Sequence, residues 1–532
     1  MFNSLRSIGA ICALLLVAWV ASAGNSKPTQ SPGGRAFDIW EYRVKGNHLL
    51  ERKRIERSVY PFLGENKSIE DVDQARQALE SAYRDAGYPT VLVDIPEQNV
   101  VKGVVYLQVT ESPVERLKIT GSKYHSLERI REQIPAVAEG RVPKLSDFQA
   151  QMNQLNAQSP DRKITPILRA GRTPGTVEVE LKVRDELPFH GSLEINNQRS
   201  ASTTALRALV NLRYDNLWQG FHSASLQFQL SPQNANQVQV WAGTYVMPVF
   251  DSDMRLVFYG VGSDSKTGVA SAGALSVIGS GRIFGLRLIN PLDNVGNYYH
   301  STTFGIDYKS FDENIVLRTD NILTPIRYLP FSFNYEGTFR EEEARTDFSL
   351  GFNFSVRGLG NKQSEFENKR FPAQSNFIYF HGSLDRKARL PYDFEFQSAI
   401  RAQYSLDPLI NNEQFLAGGQ RSVRGYFLTQ ILGDSGISGS VSVFSPQIGW
   451  NGLRAYLRDF RALWFFDVAS VWLTRPLPGT PHWDNIASTG IGLRLNLLRQ
   501  FFSELDWGFA LIDNANVSRG DSMLQFRFWY GF

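Results

Sequence analysis

Two patterns of apolar and polar positions divide the chain. From residue 38 to 187 the period switches between that of a strand and that of a helix. "FDIWEYRVKGN" alternates, and Val72, Ala75, Leu79, Tyr83 and Ala86 then form one stripe at helical spacing. Ser68 with Asp71 has the form of a capping box, and Gly87 suits the position just past a helix end. Ile55, Val59 and Phe62 give a shorter helix before it, and Thr90–Ile95 and Val105, Leu107 and Val109 give two strands after it. The order is β-α-α-β-β. It returns: Val44-Lys45-Gly46-Asn47 recurs as Ile119-Thr120-Gly121-Ser122, 75 positions later. Helical stretches through Leu127, Ile130 and Ile134 and through Phe148, Met152 and Leu155 follow, and then a strand holding Val177, Val179, Leu181 and Val183. Repetition of a whole unit predicts two similar α/β modules in tandem, 38–112 and 113–187. Small sheets of this kind leave edges that an extended chain can join.

From 188 to 532 strict alternation takes over. Ala224, Leu226, Phe228 and Leu230 face one way, and Ser223, Ser225, Gln227 and Gln229 the other. Leu524, Phe526, Phe528, Tyr530 and Phe532 share a face at the C-terminus. A soluble sandwich also alternates, but here the non-oily face carries Gln, Ser, Asn and Arg on strand after strand. Aromatics concentrate in the same half, with eight tryptophans between 218 and 529. Apolar-out, polar-in strands predict an antiparallel membrane barrel, because only closure satisfies every strand's hydrogen bonds in lipid. The segment allows about 16 strands with short turns at one end and longer loops at the other.

Composition changes the picture in three places. "MFNSLRSIGAICALLLVAWVASAGNS" has Arg6, an apolar run and a small-residue cleavage site, and predicts a secretory signal peptide over 1–23, followed by a flexible arm over 24–37. The chain's single cysteine, Cys12, falls in that leader, so no thiol chemistry, disulfide or Cys-based metal site is expected. A formal charge of +3 gives no reason to propose nucleic acid. Seven scattered histidines show no metal-ligand spacing, and no nucleophile motif is present, so neither an enzyme nor a cofactor is expected.

One loop carries candidate chemistry. Near 415–436, "GGQRSVRGYF" sets Arg424 between Val423 and Gly425, after Gly418-Gly419 and before Tyr426. The glycines permit a sharp fold-back. If the loop enters the lumen, its arginine needs an acceptor. In "RALWFFDVASVWL", Trp464, Phe466 and Val468 face lipid, so Phe465, Asp467 and Ala469 face inward. A bridge from Arg424 to Asp467 would pin the loop inside. The plainer alternative is an exposed loop arginine and a channel-lining acid. A second Val-Arg-Gly, at Val356-Arg357-Gly358, lacks the glycine pair and the aromatic, and reads as a strand-to-turn junction.

Leader, paired modules, barrel and "GGQRSVRGY" together resemble the outer-membrane transporters of two-partner secretion, the ShlB/FhaC/HecB hemolysin secretion/activation family, relatives of the barrel assembly factors. The resemblance implies that the modules are periplasmic POTRA domains that take up a secreted polypeptide. It also implies that Arg424 meets Asp467 inside the channel, and that Phe528, Tyr530 and Phe532 form the signal read by the barrel-assembly machinery in outer-membrane lipid. The family's acid motif has glycine where this chain has Ala469, and no apolar plug helix precedes the first module, so the inward loop is expected to supply most of the obstruction. An assembly factor that inserts other barrels, and a passive porin, are the alternative functions; two repeats are fewer than assembly factors usually carry.

Overall fold

A computed structural model of the protein describes residues 36–249, 252–265, 269–272, 275–278, 280–312, 314–317, 320–449, 457–498 and 500–532. The expected leader, and all but the last two residues of the arm, lie outside the described residues. The described chain falls into two compact units. One holds the first module with 113–120, 133–153 and 165–181 of the second; the other holds 121–132, 154–164 and everything from 182 onward.

In the first module Glu41–Lys45 runs parallel to Val104–Thr110, which pairs antiparallel with Leu92–Asp94. Helices Arg52–Val59 and Ile69–Asp85 cover that sheet, burying Ile55, Val72, Ala75, Leu79 and Tyr83. The Asp71 carboxylate accepts from Ser68 N (2.8 Å) and Ser68 Oγ (3.0 Å), which caps the second helix. The alternating run breaks at Trp40, and its first part, Phe37–Ile39, pairs instead with Gly64–Lys67, a strand that the alternation did not announce. The second module repeats the order with helices Leu127–Glu132 and Leu145–Ala157 and a sheet of Val114–Thr120, Val177–Asp185 and Arg162–Ala170. Its first helix stops before the expected Ile134, because Pro135 follows.

The recurring glycines have one physical cause. Gly46 and Gly121 both adopt positive φ (80° and 86°), and a Cβ there would meet the carbonyl oxygens of Val109 (2.3 Å) and Val183 (2.4 Å). Each glycine turn then presents its amides to a carboxylate. Glu111 accepts from His48 N and Leu49 N, and Asp185 accepts from Lys123 N, Tyr124 N, His125 N and Ser122 Oγ. Burial raises the Asp185 carboxyl, but the N–H groups of Tyr124 and Lys123, the Ser122 hydroxyl and His125 outweigh it and hold it at about 2. The folded value lies below the ordinary 3.8, so this stabilisation is complete above pH 4 and is lost as pH falls toward 2. Hydrogen exchange at amides 123–125, corrected for its intrinsic pH dependence, should lose roughly 2 kcal/mol of protection across that window. Asp185→Asn should show the loss already at neutral pH, whereas protection that stays flat with pH would contradict the assignment.

From Phe189 onward sixteen antiparallel strands close into a barrel. Two segments, Ile326–Tyr328 and Pro330–Arg340, both pair with Tyr298–Phe311 and make one strand interrupted at Leu329. The last strand, Ser522–Gly531, closes on the first, Phe189–Asn196, from Arg527↔Asn196 to Gly531↔Ser192. Phe532 completes the seam by exchanging backbone hydrogen bonds with Gly191 (2.9 and 3.0 Å). Leu226, Trp241, Phe284, Leu350, Trp464, Ile491 and Leu524 stand out from the wall, each at least 50% exposed. Gln229, Ser263, Ser442, Ser488 and Gln525 point inward and are buried. The oily face looks outward and the polar face encloses the bore, which rules out stacked soluble sheets.

Candidate functional site

The segment 406–434, between strands Glu395–Ser405 and Ser435–Phe444, folds into the barrel. Its stem is a two-stranded ladder, Phe415–Ala417 with Ile431–Gly433. Gly418 and Gly419 take φ of 116° and 91° and turn the chain off that ladder; a Cβ on Gly418 would meet the Phe427 carbonyl oxygen at 2.3 Å. Beyond the turn, Val423 and Tyr426 are buried with Ala417, Ala469, Val471 and Ile486. The Ala469 methyl is therefore accommodated in this cluster.

Arg424 is 6% exposed, and Asp467 is fully buried. Arg424 Nε donates to Asp467 Oδ2 and Nη2 to Oδ1, both at 2.7 Å, and the Arg424 backbone N–H donates to Oδ2 at 3.0 Å. Nη2 also reaches Ser440 Oγ (3.1 Å) and Ser442 Oγ (3.0 Å), and Ser440 donates back to Asp467 at 2.7 Å. The guanidinium carbon lies 3.6 Å from the centroid of the Phe465 ring. That ring rests on Gly490, where any Cβ would come within 2.5 Å of it. Fork, stack and serine floor together fix a planar cation in a way an ammonium cannot copy.

The structure thus brings Gly418, Gly419, Val423, Arg424, Gly425 and Tyr426 together with Phe465 and Asp467. Phe528, Tyr530 and Phe532 stand apart from them, on the last strand or just beyond its end, with Tyr530 and Phe532 exposed on the lipid side.

Several partners were not read from the sequence. Asp506, fully buried, lies 3.8 Å from Arg424 Nη1 and accepts at both oxygens from Arg494 Nη2 (2.9 and 3.1 Å) and at one from Gln420 (2.9 Å). Gln525 accepts from Gly425 N (3.1 Å) and donates to Tyr426 O (3.0 Å). The Tyr426 hydroxyl donates toward the Ile512 carbonyl at 2.7 Å. Gly425, at φ 85°, lies flat on Gly508. Alternation put Asp506 and Gln525 on the inward face, so a signal existed for both. Nothing in "DWGFA" marked Gly508 as a landing point.

The loop covers one side of the bore. On strands Phe189–Asn196 to Arg255–Ser265 a cavity of about 600 Å³ remains, lined by His190, Ser192, Asn211, Ser225, Gln227 and Thr244 among others. Asp161, His190 and Asp215 form a compact group, with His190 Nε2 3.0 Å from Asp161. Arg213 occupies Asp215 at 3.0 Å, and the group reads as an ion-pair cluster.

The family described as "Haemolysin secretion/activation protein ShlB/FhaC/HecB" matches residues 175–495, and "POTRA domain, ShlB-type" matches 37–112. The chain is 26% identical over 185 residues to the outer membrane transporter CdiB of Dickeya dadantii, which covers 35% of this chain and 32% of that protein. It is 20% identical over 375 residues to the heme/hemopexin transporter protein HuxB of Haemophilus influenzae, covering 69% of this chain and 64% of that one. Both alignments span less than two thirds of the relative. Among solved structures, CdiB from Escherichia coli superimposes with a TM-score of 0.60 at 18% identity, covering 95% of this chain and 93% of the other, a likeness of fold.

Proposed function

The chain belongs to the haemolysin secretion/activation protein family ShlB/FhaC/HecB, and from that membership we propose that it is an outer-membrane translocator. It exports a large unfolded polypeptide from the periplasm to the cell surface by two-partner secretion. In this reading 1–23 is a cleaved signal, 24–37 a flexible arm, 38–112 and 113–187 are periplasmic POTRA domains, and 188–532 is the transmembrane barrel. A POTRA sheet edge holds the extended client by strand addition, which supplies backbone hydrogen bonds without demanding a sequence. The client then follows the polar wall that the inward loop leaves clear. The observation that carries this is the buried Arg424–Asp467 clamp inside a polar bore, which pins a whole loop in the passage a client would take.

The protein itself acts without cofactor or metal and as a conduit, not an enzyme. Neutral hydrogen-bonding groups along the free wall suit a polypeptide backbone moving past, because none of them grips one side chain. Phe528, Tyr530 and Phe532 serve as the signal by which the assembly machinery places the barrel in lipid. The test begins in the adjacent reading frame, where this reading expects a large exported polypeptide, and follows that polypeptide in cells. Disrupting the translocator should abolish its surface appearance and leave it in the periplasm; surface display that continues unchanged would end the reading.

A further inference from the structure

We propose that the segment 356–377 is a second gate at the outer mouth of the bore, locked by Arg370 and Asp434 independently of Arg424. The proposal goes beyond the transport reading and rests on it only in calling the bore a passage. The segment joins strands Ala344–Ser355 and Ile378–Arg389 and carries the helix Gln363–Lys369. It fills its part of the lumen with oil. Phe366, Ala373 and Phe377 are buried against Leu409 and Ile410 at the root of the inward loop, and against Val240, Val261 and Tyr328 of the wall. A water-filled passage cannot cross such a cluster while it stays closed. Its walls lie on strands Val238–Pro248 to Ile378–Arg389, whereas the arginine clamp sits on strands Ser435–Phe444 to Ser522–Gly531. Releasing the clamp therefore leaves this second obstruction in place.

Asp434, fully buried, ties the outer elements together. It takes both terminal nitrogens of Arg370 (Nη2 at 2.8 Å), together with Leu409 N (2.9 Å), Gln414 Nε2 (3.1 Å) and Thr474 N (2.6 Å). Arg370 Nη1 also donates to the Leu409 carbonyl at 2.6 Å. Arg370 thus supplies polar bonds from the segment to both roots of the inward loop, while Glu365 accepts from Arg327 N on the wall (2.9 Å). Within itself the segment is well bonded. Asn361 donates to Ser355 Oγ, Val356 O and Ser375 O, while Gln363 pairs with Ala373 O and Ser375 N. Gly358 and Gly360, at φ 82° and 67°, sit where the segment leaves its strand, Gly358 with open space around it. A self-bonded body on a glycine stalk moves as a unit once its outside bonds are cut. Glu413 keeps the loop root on the wall when that happens, through Lys309 (2.6 Å), Tyr328 (2.6 Å) and Tyr379 (2.8 Å).

Cysteine labelling of whole cells tests this, because Cys12 in the expected leader is the chain's one cysteine. Ala373→Cys, at a position with 0% exposure, should resist a membrane-impermeant maleimide, while Leu359→Cys, at 44%, should react. Adding Arg370→Ala should speed labelling at 373 by about tenfold or more, since it strips the charge partner from a buried carboxylate. Arg370→Gln, which keeps one donor, should fall between, and Arg424→Ala should leave the rate unchanged. Heat-modifiable migration and unchanged labelling at 359 show that each variant is folded. Labelling at 373 that ignores Arg370, or that responds equally to Arg424, overturns the proposal. Labelling needs no client, so this result stands or falls apart from the export test.

Discussion

Arg424→Ala is expected to lower export of the client at least about tenfold while leaving the barrel inserted and heat-modifiable. The closing ladder Arg527↔Asn196 to Gly531↔Ser192 does not involve the arginine, so assembly should survive. What goes is the charge that Asp467, with no exposed surface, was buried to meet. Removing one member of a buried pair costs about 3–5 kcal/mol, because the other is left desolvated and uncompensated. Ser440 and one backbone N–H are the remaining donors to that carboxylate. The tip of 406–434 should then leave its wall and wander across the space lined by Ser192, Asn211, Gln227 and Thr244. The client meets an obstructed bore, while ions meet a fluctuating one. Planar-bilayer recordings should accordingly become noisy where the native channel is quiet. Arg424→Lys should not rescue, since an ammonium reproduces neither the fork nor the stack on Phe465. Native export together with a quiet channel would remove the clamp from the mechanism.

Most of the barrel was legible because its physics is local. Each strand states its own inward and outward faces, and lipid allows no alternative way to satisfy the backbone. Phe465 and Asp467 fell on the inward face by parity with Trp464 and Phe466, and exposure follows that parity residue by residue. The modules were legible for a second reason: Gly46 and Gly121 recur because the same carbonyl approaches each of them. The rest of the site depends on contacts whose partners are far apart in sequence. Asp434 and Arg370 lie on different loops, and neither sits in an alternating run that would assign it a face. The oily residues Phe366, Leu409 and Ile410 look like ordinary loop positions until the barrel wall encloses them. The expectation that the inward loop supplies most of the obstruction therefore carried no word of the segment 356–377. A plug can be built from any loop that reaches the lumen, and loops carry no period.

Gly508→Ala should reproduce the Arg424→Ala phenotype in weaker form, although it removes no charge and no hydrogen bond directly. A Cβ at 508 would stand 2.7 Å from Gly425 N, 2.9 Å from Arg424 C and 2.9 Å from Gly425 Cα. All three are backbone atoms of the loop tip, so no side chain can swing aside and the tip itself must retreat. Retreat stretches the Gly425–Gln525 bond and draws Arg424 out of its fork on Asp467. Overpacking of this kind costs about 1–3 kcal/mol, which predicts export reduced severalfold and channel noise between native and Arg424→Ala. Gly262→Ala is the matched control: a barrel glycine with nothing within 4 Å of its virtual Cβ, expected to behave as native. The decisive comparison is the double variant. If Gly508 acts through the clamp, Gly508→Ala added to Arg424→Ala should lower export no further, because the interaction it disturbs is already gone. Losses that simply multiply would mean that Gly508 serves the barrel wall itself, and that the contact between the two glycines does not seat the arginine.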